Sequence, residues 1–125
     1  MKDREEHLKK LNKAFADCDT EFLSNSVTED VVWNIIGEKT ISGKKDFEKS
    51  LDRMRLGGPV KIIVGDLIIA KDKCVVEGIV EFFIEPGKKM KYAFCDVYIF
   101  SESQDHKFRE LRTYVTHLKK KKHHL

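Results

Sequence analysis

Apolar positions near the start of the chain recur at helical spacing: Leu8, Leu11 and Phe15, with Ala14 and Cys18 beside them, against Lys9, Lys10, Asn12 and Lys13 on the other face. This pattern predicts an amphipathic first helix that stops at Asp17-Cys18-Asp19. Asp19 can cap a second, short helix from Thr20 to about Ser26 that turns Phe22 and Leu23 inward. Thr28-Glu29-Asp30 reads as a turn, and Val31 to Ile36, rich in β-branched and aromatic residues, as a strand. Gly37 to Gly43 reads as a loop. Ser42 or Gly43 then opens a charged helix whose apolar stripe is Phe47, Leu51 and Met54, and Gly57-Gly58-Pro59 ends it.

Beyond Pro59 the period changes from helical to two. Val60 to Ala70 and Cys74 to Ile84 read as strands, Glu85 to Lys88 as a turn, Tyr92 to Phe100 as a long strand and Lys107 to Thr116 as the last one. The expected order is helix, short helix, strand, helix and four strands in meander. Helices gathered first and strands last imply an α+β domain with its helices on one face of an antiparallel sheet.

Alternation separates the two faces of that sheet. Val76, Gly78, Val80, Phe82 and Ile84 form an apolar row, with Glu77, Glu81 and Glu85 opposite. On the Tyr92 to Phe100 strand both rows are mostly apolar, so helices can cover only one of them. A second subunit packed on the outer face is the simplest cover, and a homodimer is expected. One acid, Asp96, interrupts the row Tyr92, Phe94, Tyr98, Phe100. A carboxylate in such a row is costly unless it is hydrogen-bonded, paired or protonated.

Composition narrows the class without naming a function. A chain of 125 residues, 41% hydrophobic and 36% charged, suits one globular domain, expected over residues 1 to 118. The net charge of +3 owes much to Lys119 to Lys122, so the body lacks the basic face of a nucleic-acid binder, and residues 119 to 125 are expected to be an unstructured basic tail. The first residues show no apolar signal region, and no run approaches the roughly 20 apolar residues that cross a bilayer. A cytoplasmic protein without a membrane partner is expected. Cys18, Cys74 and Cys95 are widely spaced and odd in number, which predicts buried free thiols and neither a disulfide framework nor a metal site. Gly57-Gly58 is followed by proline and lacks the Lys-Ser/Thr of a phosphate loop, and nothing calls for a cofactor.

Several stretches together carry a family resemblance: Phe15 to Asp19 closing the first helix, Val27 to Trp33 entering the first strand, Ile41-Ser42-Gly43 before the third helix, Cys95 to Phe100, and Phe108 to Tyr114. From about Leu8 to Leu118 the chain resembles the nuclear transport factor 2-like superfamily, in its SnoaL-like and ketosteroid isomerase-like branch. The resemblance implies a cystatin-like cone, a strongly curved sheet wrapped around helices and open at one end, with an apolar cavity as the binding site. It carries over only part of the family's chemistry. Where the ketosteroid isomerases have a tyrosine and a general base, this chain has Leu11 and Ile35. Their protonated carboxylic acid matches Asp96. Where the similar limonene epoxide hydrolases have an arginine and a last-strand aspartate, this chain has Phe94 and Thr116.

Asp96 is therefore the leading candidate, either as a polar anchor and acid/base group in a cavity or as a structural carboxylate tied to Thr113 or His117. His117 is either its proton-transfer partner or a residue of the rim. Trp33, Phe15, Met54, Phe82, Tyr98, Leu111 and Thr113 are the expected cavity residues, and the same side chains would equally serve as plain core. Three functions remain open at this level. The leading one is a protein that binds a small apolar or aromatic molecule in the cone, anchored by Asp96. The second is a cofactor-independent isomerase, lyase or hydrolase. The third is a non-catalytic protein-interaction module with a filled cone.

Overall fold

The computed structural model describes residues 2 to 104 and 106 to 119. Three helices and six strands follow in the order α1 (Lys2–Asp17), α2 (Thr20–Ser24), β1 (Val27–Ile35), β2 (Lys39–Ser42), α3 (Lys44–Leu56), β3 (Lys61–Ile69), β4 (Lys73–Glu85), β5 (Lys88–Phe100) and β6 (Phe108–His117). The strands form one sheet in the order β2-β1-β6-β5-β4-β3. The α+β class and the curved, helix-lined sheet match the expectation from sequence. The tail expected from residue 119 lies, from residue 120 on, outside the described residues.

Local signals act as their chemistry dictates. Asp19 caps α2, its carboxylate accepting from Phe22 N at 3.1 Å. Cys18, at φ 58, turns the chain between α1 and α2. Gly58, at φ 83, takes the left-handed position after α3 that a side chain would resist.

Three features depart from the sequence pattern. Lys39 to Ser42, read as loop, forms strand β2, which pairs with β1 as a hairpin that sets Ile41 opposite Trp33. Its single apolar residue left too little alternation to read. Thr28 to Asp30, read as a turn, belongs to β1, where the register against β6 shifts between Val27 and Val32. The β1–β6 pair is also parallel, so the sheet is mixed rather than purely antiparallel. Which strand lies beside which, across most of the chain's length, is a tertiary fact that no local pattern encodes.

Helices α1 and α3 pack on the inner face, and the core lies between them and the sheet. Leu8, Leu11, Phe47, Leu51, Phe100 and Phe108 are all fully or almost fully buried. Burial of each such side chain contributes about 1.5–3 kcal/mol. The aromatic members lock edge to face: Phe108 meets Tyr98 at 5.1 Å and Phe47 at 6.1 Å between ring centroids. Cys74 is buried while Cys18 and Cys95 are half-buried, so only one thiol is as enclosed as expected.

Gly78 fixes the curvature where β3, β4 and β5 meet. A Cβ there would lie 2.3 Å from the Ile63 carbonyl oxygen and 3.0 Å from the Phe94 ring. β3 bulges between Val64 and Asp66 at this point, and the Phe94 ring rests over the bare backbone of its cross-strand partner Gly78. Gly78→Ala is expected to destabilise the fold by about 1–3 kcal/mol, read as a lowered urea midpoint, because the obstructing atom is backbone that cannot swing aside.

Candidate functional site

One rung of the sheet runs through the candidate acid. Thr113 on β6 sits directly opposite Asp96 on β5, and Ile35 on β1 sits opposite Thr113. Inward-facing neighbours are Trp33 on β1, Leu111 and Val115 on β6, Phe94 on β5 and Val80 on β4. Together with Phe15 and Asn12 from α1, Met54 from α3, and Val60 and Ile62 at the start of β3, they enclose a cavity of about 150 Å³. Its walls are overwhelmingly apolar. Part-exposed Met54 and Val115 mark its mouth. That volume holds one benzene-sized ring.

The polar groups of the cavity are few and linked. Trp33 Nε1 donates to Thr113 Oγ1 at 2.8 Å, which leaves the threonine proton free for Asp96. The Thr113 hydroxyl acts on the Asp96 carboxyl and favours its charged form, but burial disfavours that form more strongly and pushes the Asp96 pKa up to about 7. Asp96 keeps some surface at the cavity, while its Oδ1 is shut off from solvent and has no hydrogen-bond partner. Two residues along the same row, the Tyr98 hydroxyl is likewise buried and unpartnered. Burial, and then the nearby Asp96 charge, raise its pKa well above the usual phenol range. Asn12 Nδ2 donates to the Leu8 carbonyl at 2.9 Å, leaving the rest of its amide for the cavity.

The sequence-derived residues divide into two groups. Phe15, Trp33, Met54, Asp96, Leu111 and Thr113 come together around the cavity. Tyr98, Phe82 and His117 are not among its lining residues. Tyr98 is part of the aromatic core, fully buried against Phe100 and Phe108. Phe82 stacks flat on Tyr92 at 5.8 Å, and Tyr92 meets the His117 ring at 5.0 Å. His117 therefore sits opposite Tyr92 and four residues along β6 from Thr113, about 13 Å from the rung that holds Asp96. That spacing rules out a direct hydrogen bond between the two side chains.

Asn12 is the polar residue that sequence reasoning placed on the wrong face. It is buried, although its lysine neighbours put it on the solvent side. Its spacing held the signal, since position 12 lies four after Leu8 and three before Phe15 on the same stripe. Leu11 is fully buried, Phe94 lines the cavity, and Thr116 pairs with Ala93 in the outward row. Among the described residues, no group of three or more His, Cys, Asp or Glu is placed to hold a metal ion. Nor, among the described residues, is any helix long and apolar enough to cross a membrane.

A curved six-stranded sheet closed over helices is the cone fold of the nuclear transport factor 2-like proteins, and this chain has that fold. Solved structures with the same fold span nearly all of it. An NTF2-like protein of unknown function from Cytophaga hutchinsonii matches at TM-score 0.73 and 22% identity, over 90% of this chain and 98% of its own. A SnoaL-like protein from Shewanella putrefaciens CN-32 matches at TM-score 0.79 and 15% identity, over 92% and 80%. An LEH-like epoxide hydrolase of M. tuberculosis matches at TM-score 0.76 and 15% identity, over 89% and 80%. No protein-family model matches the sequence, and no curated protein does.

The raised pKa of Asp96 has a consequence for stability. Its folded value of about 7 lies above the unfolded value near 4, so the folded state holds the extra proton between them. The stability tied to the neutral acid is complete below about pH 4 and is lost as the pH rises through about 7. Asp96→Asn keeps a neutral side chain of the same shape at every pH. The difference in unfolding free energy, native minus variant, is expected to fall between about pH 4 and 7 in urea titrations, by an amount on the order of a few kcal/mol, and to level off above that.

Proposed function

We propose that this protein binds a small apolar or aromatic molecule in the Trp33 cavity, with Asp96 as its polar anchor. The observation that carries the reading is the pairing of an apolar, ring-sized cavity with a buried carboxyl oxygen that has no partner in the protein. An orphaned acceptor of this kind costs about 1–3 kcal/mol, and a ligand hydroxyl donating to the Asp96 carboxylate recovers it. With a pKa of about 7 the group is an acceptor when ionised and a donor when neutral, so it suits either kind of ligand oxygen.

The same pKa supports a second reading, proton transfer to or from a bound substrate, because a catalytic acid or base works best near the ambient pH. Two of the structural neighbours are named for polyketide cyclase and epoxide hydrolase chemistry. Asp96 is the one ionisable side chain among the residues that line the cavity, with Thr113 and Asn12 as its polar company, and binding remains the primary reading.

Self-association through the outer face of the sheet belongs to the same proposal. Ile63, Ile68, Phe83 and Tyr114 are exposed there, among the charges of Glu77, Glu81 and Arg112. The alternating signs let one copy of this face meet another without like charges stacking.

Two measurements check these points. Trp33, the only tryptophan, is expected to show saturable quenching or enhancement on titration with small phenols and aromatic ketones, weakened about fivefold or more in Asp96→Ala. Absence of a saturable response to any of them would remove the reading. Sedimentation is expected to show a dimer that Ile68→Lys converts to monomer, and a monomeric native protein would overturn the self-association.

A further inference from the structure

A second opening adjoins the cavity. A groove of about 260 Å³ runs between β1, β2 and α3, and it shares Trp33 and Met54 with the cavity wall. Its far end, a hollow of about 280 Å³, carries Lys39, Lys49 and Arg53 against one carboxylate, Asp46. Among the described residues, no acid lies within ion-pair distance of those three cations. The hydroxyls beside them are committed elsewhere: Ser50 donates to the Phe47 carbonyl at 2.6 Å and Thr40 to Asn34 Oδ1 at 3.3 Å. The donors left over in this hollow are therefore cationic.

The sheet sets the distance between the two ends. Lys39 pairs with Ile35, Ile35 with Thr113, and Thr113 with Asp96, so the cation and the acid occupy one rung of the sheet. Three inter-strand steps separate them, about 14 Å along the rung and less across a curved sheet. The path between them passes Ile35, Ile41, Trp33 and Met54, which are apolar.

We infer that cavity and groove form one elongated site for an amphipathic anion, its apolar or aromatic body under Trp33 and its terminal carboxylate held by Lys39 and Arg53. The inference rests on the ligand-binding reading above and adds the class of ligand. Two hollows share walls with the cavity: the one at Asn12 and Ile62 has its lysines, Lys9 and Lys13, paired with Glu5 and Asp17, whereas the groove at Trp33 and Met54 leads to cations with no acid partner among the described residues. The Arg53 guanidinium matches a planar carboxylate with two parallel N–H groups, and Lys39 supplies a flexible second charge. Both cations are exposed, so each contributes modestly and in a salt-sensitive way.

The test uses three molecules of one shape: 6-phenylhexanoate, 6-phenylhexan-1-ol and 6-phenylhexylamine. Each is titrated against Trp33 fluorescence at about pH 6.5, where the carboxylate probe is ionised. The carboxylate is expected to bind tightest. Lys39→Glu with Arg53→Glu is expected to weaken it about five- to tenfold, to leave the alcohol within about twofold, and to improve the amine. Retained alcohol binding shows that the variant is folded. Added salt is expected to weaken the carboxylate alone. Equal binding of alcohol and carboxylate, unaltered by the charge reversal, overturns the elongated site while leaving the cavity reading intact. No response to any of the three overturns both.

Discussion

The structure turns on a carboxyl group held by one hydroxyl in an apolar row. Asp96 faces inward because strand alternation gives it no choice: Phe94 and Tyr98 on either side must be buried, and Asp96 shares their face. Its strand neighbour Thr113 can satisfy one oxygen only, and Trp33 Nε1 fixes how Thr113 points. From that follow the raised pKa, the bare Oδ1 and the orientation of the tryptophan that forms the cavity wall. A neutral residue at position 96 would relieve the cost, and would also remove the single feature that distinguishes this cavity from a packing defect.

Much of the fold was legible because its elements obey short-range rules. The Asp19 cap, the Gly57-Gly58-Pro59 stop, and the change from helical to alternating period after it all mark real boundaries. β2 was hidden because four residues with one buried-type side chain give no period, and their strand identity comes from the Trp33 neighbour they pair with. The parallel β1–β6 contact was hidden because it joins the two ends of the chain.

The site was less legible than the fold. Asp96, Thr113 and Leu111 share the inner face, but a shared row does not mean a shared cavity. Tyr98 and His117 occupy the same inward rows as Asp96 and Thr113, and yet one is sunk in aromatic core while the other stacks on Tyr92. Distance along a strand separates them, and position parity carries no information about distance. Asn12 went astray for the opposite reason, since residue polarity overrode a spacing that pointed inward.

The bare backbone at Gly78 gives the cavity a dependence that its lining does not reveal. Phe94 stands where it does because nothing projects from β4 beneath it, so the height of one wall is settled by the missing atom of a neighbouring strand. Phe94 lines the cavity and Gly78 does not. Selection for larger or smaller ligands in proteins of this shape can therefore act on the sheet's backbone geometry, out of sight of any comparison confined to residues in contact with the bound molecule.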